Sequence, residues 1–344
     1  MNYFLLPLLL VSILLVNFLF IKKNYLPSLS GDSHQKLTLN NPIPLSGGVY
    51  LIIIFYFYFY NEIGSSFFFI FAMFFVGFLS DIKIIKSAKI RFFLQFLVIM
   101  PLVIFFDLKI LSTKIFLLDT FLETYFINYL FVSFCILIIV NGSNFIDGLN
   151  TLLIGYYLII TAIIYRLDLF VMIPINNILV LTWIFLIFFI YLLNLFNQLF
   201  LGDSGAYFLG FSYAILLMMI HNENLNISPF FIILLLWYPG FEILFSILRK
   251  INSKISPLAP DINHLHQIIF IYFNETFFKK KFYANIISAS AINLYNIIIF
   301  FFAINDIYQS SLQVTLIIFN MFVYVAVYFI LIKKIKNNKL SANS

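Results

Sequence analysis

Residues 176–221 read NNILVLTWIFLIFFIYLLNLFNQLFLGDSGAYFLGFSYAILLMMIH, two long apolar runs joined by a turn that holds one acid, Asp203. Each run approaches the ~20 residues an α-helix needs to cross the hydrocarbon of a bilayer. Neither shows the apolar–polar alternation of a membrane barrel strand, which leaves the helix as the structure that satisfies its own backbone in lipid. The stretch therefore predicts two membrane helices meeting at a polar turn. A carboxylate at such a turn needs a reason, and GFLSDIK around Asp81 and NGSNFIDGLN around Asp147 repeat the arrangement.

The rest of the chain extends this pattern. With 63% hydrophobic and 10% charged residues in 344, a soluble class is excluded and an all-α, polytopic membrane protein is expected. Eleven spans are read, near 3–21, 45–60, 66–80, 91–106, 126–141, 151–166, 176–196, 204–221, 229–248, 283–304 and 311–332. Residues 1–332 read as a single transmembrane domain, and 333–344 as a basic cytoplasmic tail that contacts the lipid surface. The first span reads as a helix rather than a cleaved signal, because Lys22 and Lys23 follow it without a small-residue cleavage site.

Alternate loops differ sharply in charge. One set holds 17 of the 20 Lys and Arg residues, including Lys83, Lys86, Lys89, Arg91, Arg249, Lys250, Lys254 and Lys279–Lys281; the other holds Lys109, Lys114 and Arg166. The positive-inside rule makes the first set cytoplasmic, with the N-terminus outside and the C-terminus inside. Acids on the basic side are then few: Asp32, Asp81, Asp147, Asp203, Asp261 and Glu275. Asp147 and Asp203 each read alone as a helix cap. Three acids at helix boundaries on one face read instead as a metal-assisted active site.

Other segments carry less. Cys135 lies within a span, so neither a disulfide framework nor a cysteine metal site is expected. Residues 107–125, with KILSTKIFLLD, are compatible with a small hairpin on the outer surface. The segment 249–282 contains SPLAPDINHLHQ, where Asp261, His264 and His266 form a polar cluster. Two His residues without a third and fourth ligand define no zinc site, and imidazole contact with phosphate is the better reading. Glu242, inside a span and after Pro239 and Gly240, reads chiefly as support for a kinked helix.

Taken in order, GFLSDI, SAKIRFFLQ, NGSNFIDGLN, FLGDSGAYFLGF and SPLAPDINHLHQ resemble the motifs of the polyprenyl-phosphate N-acetylhexosamine-1-phosphate transferases, glycosyltransferase family 4. The similarity runs from about Asp32, through NNPIPLSGG, to about Phe270. It is closer to the bacterial undecaprenyl-phosphate GlcNAc-1-phosphate transferase branch, which starts O-antigen, enterobacterial common antigen or teichoic acid assembly, than to the peptidoglycan translocases.

The resemblance implies transfer of a sugar 1-phosphate from a UDP-sugar to undecaprenyl phosphate, with release of UMP, at the cytoplasmic face of a bacterial inner membrane. It implies Mg²⁺, with Mn²⁺ as a substitute, held by Asp203 and Asp81. Asn144 and Asp147 face the diphosphate, and His264 and His266 contact phosphate. Phe200 stacks the uracil, with Gly148, Leu149 and Asn150 as the rest of that pocket. Three positions depart from the family pattern: Ser80 and Asn150 replace acids, and Gln267 replaces a His. Ser80 is expected to hold a metal-bound water, Asn150 to keep a donor and acceptor for uracil, and Gln267 to donate to phosphate. Membrane lipid and a homodimeric partner are expected, and a nucleic acid is not. A transporter or flippase, and an inactive relative of the family, are the competing readings.

Overall fold

The computed structural model describes residues 5–27, 43–173, 175–254, 256 and 262–342. Asp32 and Asp261 lie outside the described residues. Fourteen α-helices follow one another among those described: α1 (Leu5–Lys23), α2 (Gly47–Ile63), α3 (Ser66–Asp81), α4 (Ala88–Phe105), α5 (Phe116–Leu122), α6 (Tyr125–Ile146), α7 (Leu152–Arg166), α8 (Asn177–Leu195), α9 (Gly202–Glu223), α10 (Pro229–Leu235), α11 (Trp237–Asn252), α12 (Leu265–Thr276), α13 (Lys281–Ala303) and α14 (Ser310–Ala342).

Seven of them, α1, α4, α6, α8, α9, α13 and α14, are long and apolar enough to cross a membrane, and α10 with α11 makes a bent eighth. The apolar helices α2, α3 and α7 have 17, 16 and 15 residues. All eleven expected spans thus fall on helices. The chain is a multi-pass, all-helical membrane protein.

Helix α9 is the axis of the bundle: 72% of its apolar window is buried, against 11% for α1 and 17% for α14. Lipid tails are as apolar as the side chains, so membrane helices associate where small residues allow close backbone approach. Helix α9 supplies Gly202, Ser204, Gly205, Ala206 and Gly210 on buried positions. A Cβ on Gly77 of α3 would stand 2.5 Å from the Ser204 Cα, and one on Gly210 would stand 2.6 Å from Ser143 Oγ of α6. Helices α2, α3 and α6 therefore meet α9 at its glycine-rich first half.

The hairpin expected in residues 107–125 is not formed; α5 occupies Phe116–Leu122. Side chains satisfy this loop's backbone instead of a strand partner. Asp119 accepts from Thr113 N at 2.7 Å, and Asn128 both accepts from Ile110 N and donates to Ile110 O at 2.9 Å.

Helices α10 and α11 meet at 75°. Pro239 has no N–H for the carbonyl four residues earlier, that of Leu235. The Tyr156 hydroxyl donates to that carbonyl at 2.8 Å and accepts from Tyr238 N at 3.4 Å, which satisfies the groups freed by the break. Trp237 Nε1 donates to Asn296 Oδ1 at 2.8 Å and ties the same corner to α13. Helix α14 continues through the basic segment without interruption to Ala342.

Candidate active site

The ends of α3 and α6, the starts of α4, α9 and α12 and the first half of α11 bring the motif residues together. At the last residue of α3, Asp81 Oδ1 accepts from Asp203 N at 2.8 Å, and its Oδ2 accepts from Ser204 N at 3.1 Å. Asp81 thus caps α9 from another helix. The capping weighed as an alternative for Asp203 falls to Asp81, while Asp203 lies in the first turn of α9. Gly202 makes this possible: its φ is +73°, and a Cβ there would lie 2.6 Å from Asp81 Oδ2.

The Asp203 side chain turns to α4. Its Oδ2 accepts from Arg91 at 2.7 Å and from Ser80 Oγ at 2.6 Å, and Arg91 also donates to Ser80 Oγ at 3.1 Å. Ser80 therefore orients Asp203 directly. One turn along α4, the fully buried Gln95 accepts from Asn141 Nδ2 at 2.7 Å, which docks α4 on α6 at the first residue of NGSNFID.

Asp147 closes the C-terminal end of α6, where its N–H returns to Asn144 O at 3.3 Å. It does not begin α7, whose N-cap is Thr151. Burial holds the Asp147 carboxyl well above the usual range, and the negative charges of Asp203 and Asp81 push it further in the same direction. The three acids are close enough to repel one another. Asn144 is half-buried beside them.

The loop after Asp147 meets α12. A Cβ on the exposed Gly148 would stand 2.5 Å from His266 Nε2 and 3.6 Å from Gln267 Nε2. His266 is fully buried, and neither ring nitrogen has a hydrogen-bond partner among the described residues. Burial pushes its imidazole down to about 3, against an opposing pull from Glu242 and with a smaller push from His264. His264 stacks with His266 at 5.7 Å between ring centroids and lies 4.9 Å from the Phe145 ring. Gln267 Oε1 accepts from His264 N at 3.4 Å and caps α12, so Gln267 has a structural bond here.

On the other side of the loop, asparagines fix Asn150. Its N–H donates to Asn285 Oδ1 at 2.9 Å, and its Nδ2 donates to Asn194 O at 3.1 Å and to Asn197 Oδ1. Of the expected donor and acceptor pair, the donor is committed inside the protein. Leu149 is buried in the core. Phe200 is half-buried, with its N–H on Pro44 O and its carbonyl accepting from Gly47 N, both at 2.9 Å. Loop 43–48 thereby positions the segment that enters α9.

Sequence reading did not assign Arg91, Gln95, Asn141 or Gly202 to the site. SAKIRFFLQ carries Arg91 and Gln95 four residues apart, on one helix face. That spacing is the sequence signal for both, although the Arg91 charge also fits the basic side of the topology.

Among the described residues, no group of three or more His, Cys, Asp or Glu side chains is placed to hold a metal ion. Mg²⁺ needs less than that, one or two carboxylates with waters and substrate phosphates. Three carboxylates close enough to repel one another, with hard oxygen donors and with Arg91 paired to Asp203, fit a divalent ion of that kind.

Residues 63–221, which run from the end of α2 to α9 and include Asp81, Asp147 and Asp203, match the family described as Glycosyl transferase family 4. A probable undecaprenyl-phosphate N-acetylglucosaminyl 1-phosphate transferase of Bacillus subtilis is 36% identical over 70 residues, 20% of this chain and 20% of that protein. An undecaprenyl-phosphate alpha-N-acetylglucosaminyl 1-phosphate transferase of Thermotoga maritima is 30% identical over 130 residues, 38% of each chain. The aligned stretches thus span well under two thirds of these relatives.

Proposed function

From the match of residues 63–221 to glycosyl transferase family 4, we propose that the chain transfers a sugar 1-phosphate from a UDP-N-acetylhexosamine to undecaprenyl phosphate, releasing UMP. The observation that carries the reading is the gathering of Asp81, Asp203, Asp147 and Arg91 with the His264–His266 segment at one end of an apolar bundle. A nucleotide diphosphate and a lipid phosphate meet where water ends and lipid begins, and this is the polar end of a membrane-embedded structure.

Two anionic phosphates repel at bonding distance, so the site's task is mainly positioning and charge compensation. Asp203 and Asp81 would hold Mg²⁺, which would supply charge neutralisation on the phosphates. Each Asp81 oxygen keeps a second lone pair beyond its backbone bond, and the bonds from Arg91 and Ser80 both go to Asp203 Oδ2 rather than Oδ1. Arg91 and the histidine segment bring donors to phosphate oxygens, and Asn144 orients the diphosphate. Phe200 offers a ring face for the uracil, and Asn150 Oδ1 remains as an acceptor for a base N–H.

The names of the two relatives favour GlcNAc as the sugar; GalNAc and the 6-deoxy sugars QuiNAc and FucNAc are the other candidates. The excess of Lys and Arg on the side of the site favours the cytoplasmic face of a bacterial inner membrane. The test is UMP release by purified protein from a panel of UDP-sugars. Release that requires both undecaprenyl phosphate and Mg²⁺ is expected; silence with every donor, or release indifferent to the lipid, refutes the assignment.

A further inference from the structure

A buried carboxylate inside an apolar helix costs several kcal/mol unless it is paired. Glu242, 1% exposed on α11, is such a group, and its Oε1 lies 2.9 Å from His264 Nδ1. The simplest role for it is to lock the bend between α10 and α11. The bend, however, is held by other groups: the Tyr156 hydroxyl across the break, the Trp237–Asn296 bond, and the contact of Gly142 with the Pro239 carbonyl, where a Cβ would collide. Tyr324 of α14 packs against Phe241 and Phe245, at 5.0 and 5.1 Å between ring centroids. None of these contacts needs a carboxylate at position 242, although the Tyr324 hydroxyl also faces Glu242.

What Glu242 reaches is the site. His264 lies against Phe145, two residues before Asp147, and stacks at 13° on His266, which in turn abuts Gly148. One side-chain contact therefore links the rigid, bent span to the junction of both phosphate-facing loops. We infer that Glu242 is a positioning residue for the proposed transfer, acting through His264 to hold the imidazole pair against the Asp147–Gly148 loop. This deepens the proposed reaction and rests on it for its kinetic consequence. The ionisable groups around the pair are His266 on α12, Tyr238 and Lys250 on α11, and Tyr324 on α14.

The test uses full-length protein in detergent micelles. Glu242→Ala is expected to lower kcat by about 10- to 100-fold, the usual effect of losing a partner that orients a functional histidine, while KM for the UDP-sugar stays within about twofold. Glu242→Asp and Glu242→Gln should each recover part of the loss. In a His264→Ala background, Glu242→Ala should cost almost nothing further, because the two residues act as a unit. Equal cost in both backgrounds, or unchanged kcat in a folded Glu242→Ala protein, overturns the inference.

A second readout needs no turnover. The chain has four histidines, so nitrogen-15 histidine spectra can be assigned with single His→Gln variants. His264 resonances should shift in Glu242→Ala, and also in Glu242→Gln should the alanine variant fail to fold. Unchanged His264 resonances overturn the inference, whereas an inactive wild type with the expected spectra would count only against the proposed reaction.

Discussion

Gly202→Ala is the sharpest single perturbation of this site. The added methyl group sits at φ +73° and 2.6 Å from Asp81 Oδ2. An L-residue in the left-handed region costs about 1–2 kcal/mol, and displacing a capping side chain costs about 0.5–2 kcal/mol more. Lower entropy of the unfolded alanine chain returns about 0.4–1 kcal/mol. The net loss is about 0.5–3.5 kcal/mol, a fall of up to several degrees in thermal midpoint. Activity should suffer more, because the methyl group drives Asp81 away from Asp203, and a shift of about 1 Å in catalytic geometry can cost about 100-fold.

Gly64→Ala is the control. Gly64 also has a left-handed φ, +51°, but it lies in the α2–α3 turn with nothing within 4 Å of its would-be Cβ. That turn is at the far end of α3 from Asp81, some ~22 Å away at 1.5 Å per residue. Both variants should lose stability in differential scanning fluorimetry, and only Gly202→Ala should lose UMP release. A Gly202→Ala enzyme with wild-type kcat, or a Gly64→Ala enzyme equally impaired, would refute the reasoning.

Asp203→Asn keeps the shape and removes the charge, so turnover should vanish while the protein remains inserted; retention of more than about a tenth of wild-type activity, worth ~1.4 kcal/mol, counts against its metal role. Asp147 has a raised folded pKa, so the folded state keeps its proton longer than the unfolded chain does, and stability falls as pH rises above the unfolded value near 3.8. Asp147→Asn should therefore raise the thermal midpoint at pH 8, leave it unchanged below the unfolded pKa, and abolish UMP release; a lower midpoint at pH 8 would contradict the burial argument. His266 behaves oppositely: its imidazole is held near 3 against 6.5 when unfolded, so stability is lost as pH falls below 6.5. The loss is about 1.4 kcal/mol by pH 5.5 and should be absent in His266→Gln when both proteins are followed by thermal unfolding across that window. Reporter fusions after Lys254 and Lys336 should read cytoplasmic and those within 107–125 external; an external reading after Lys254 would separate the histidines from the nucleotide and defeat the proposed reaction.

The helices were legible because lipid leaves the backbone no alternative: a long apolar run must satisfy its own hydrogen bonds, so length and composition are enough. The same reasoning failed over 107–125, where Asp119 and Asn128 take the backbone bonds that a hairpin would have made. Motif order likewise singled out Asp81, Asp147 and Asp203 from short, local patterns. It gave no account of their division of labour, since a carboxylate that caps a helix and one that faces an arginine look alike in a one-dimensional string.

That division is a property of the packing. Asp81 caps α9 because Gly77 and Gly202 let α3 approach it without a Cβ in the way. Asp203 meets Arg91 because Gln95 and Asn141 dock α4 on α6. Glu242, read from sequence as support for a kink, reaches His264 because Pro239 breaks the helix and Tyr156 stabilises the break. The sequence by itself determined a membrane-embedded helical bundle and the acids on its polar end, because hydrophobicity and local pattern act residue by residue. Only the tertiary structure decided which acid caps, which pairs and which is buried beside the other two, because those roles depend on partners from other helices, up to 123 positions apart for Ser80 and Asp203.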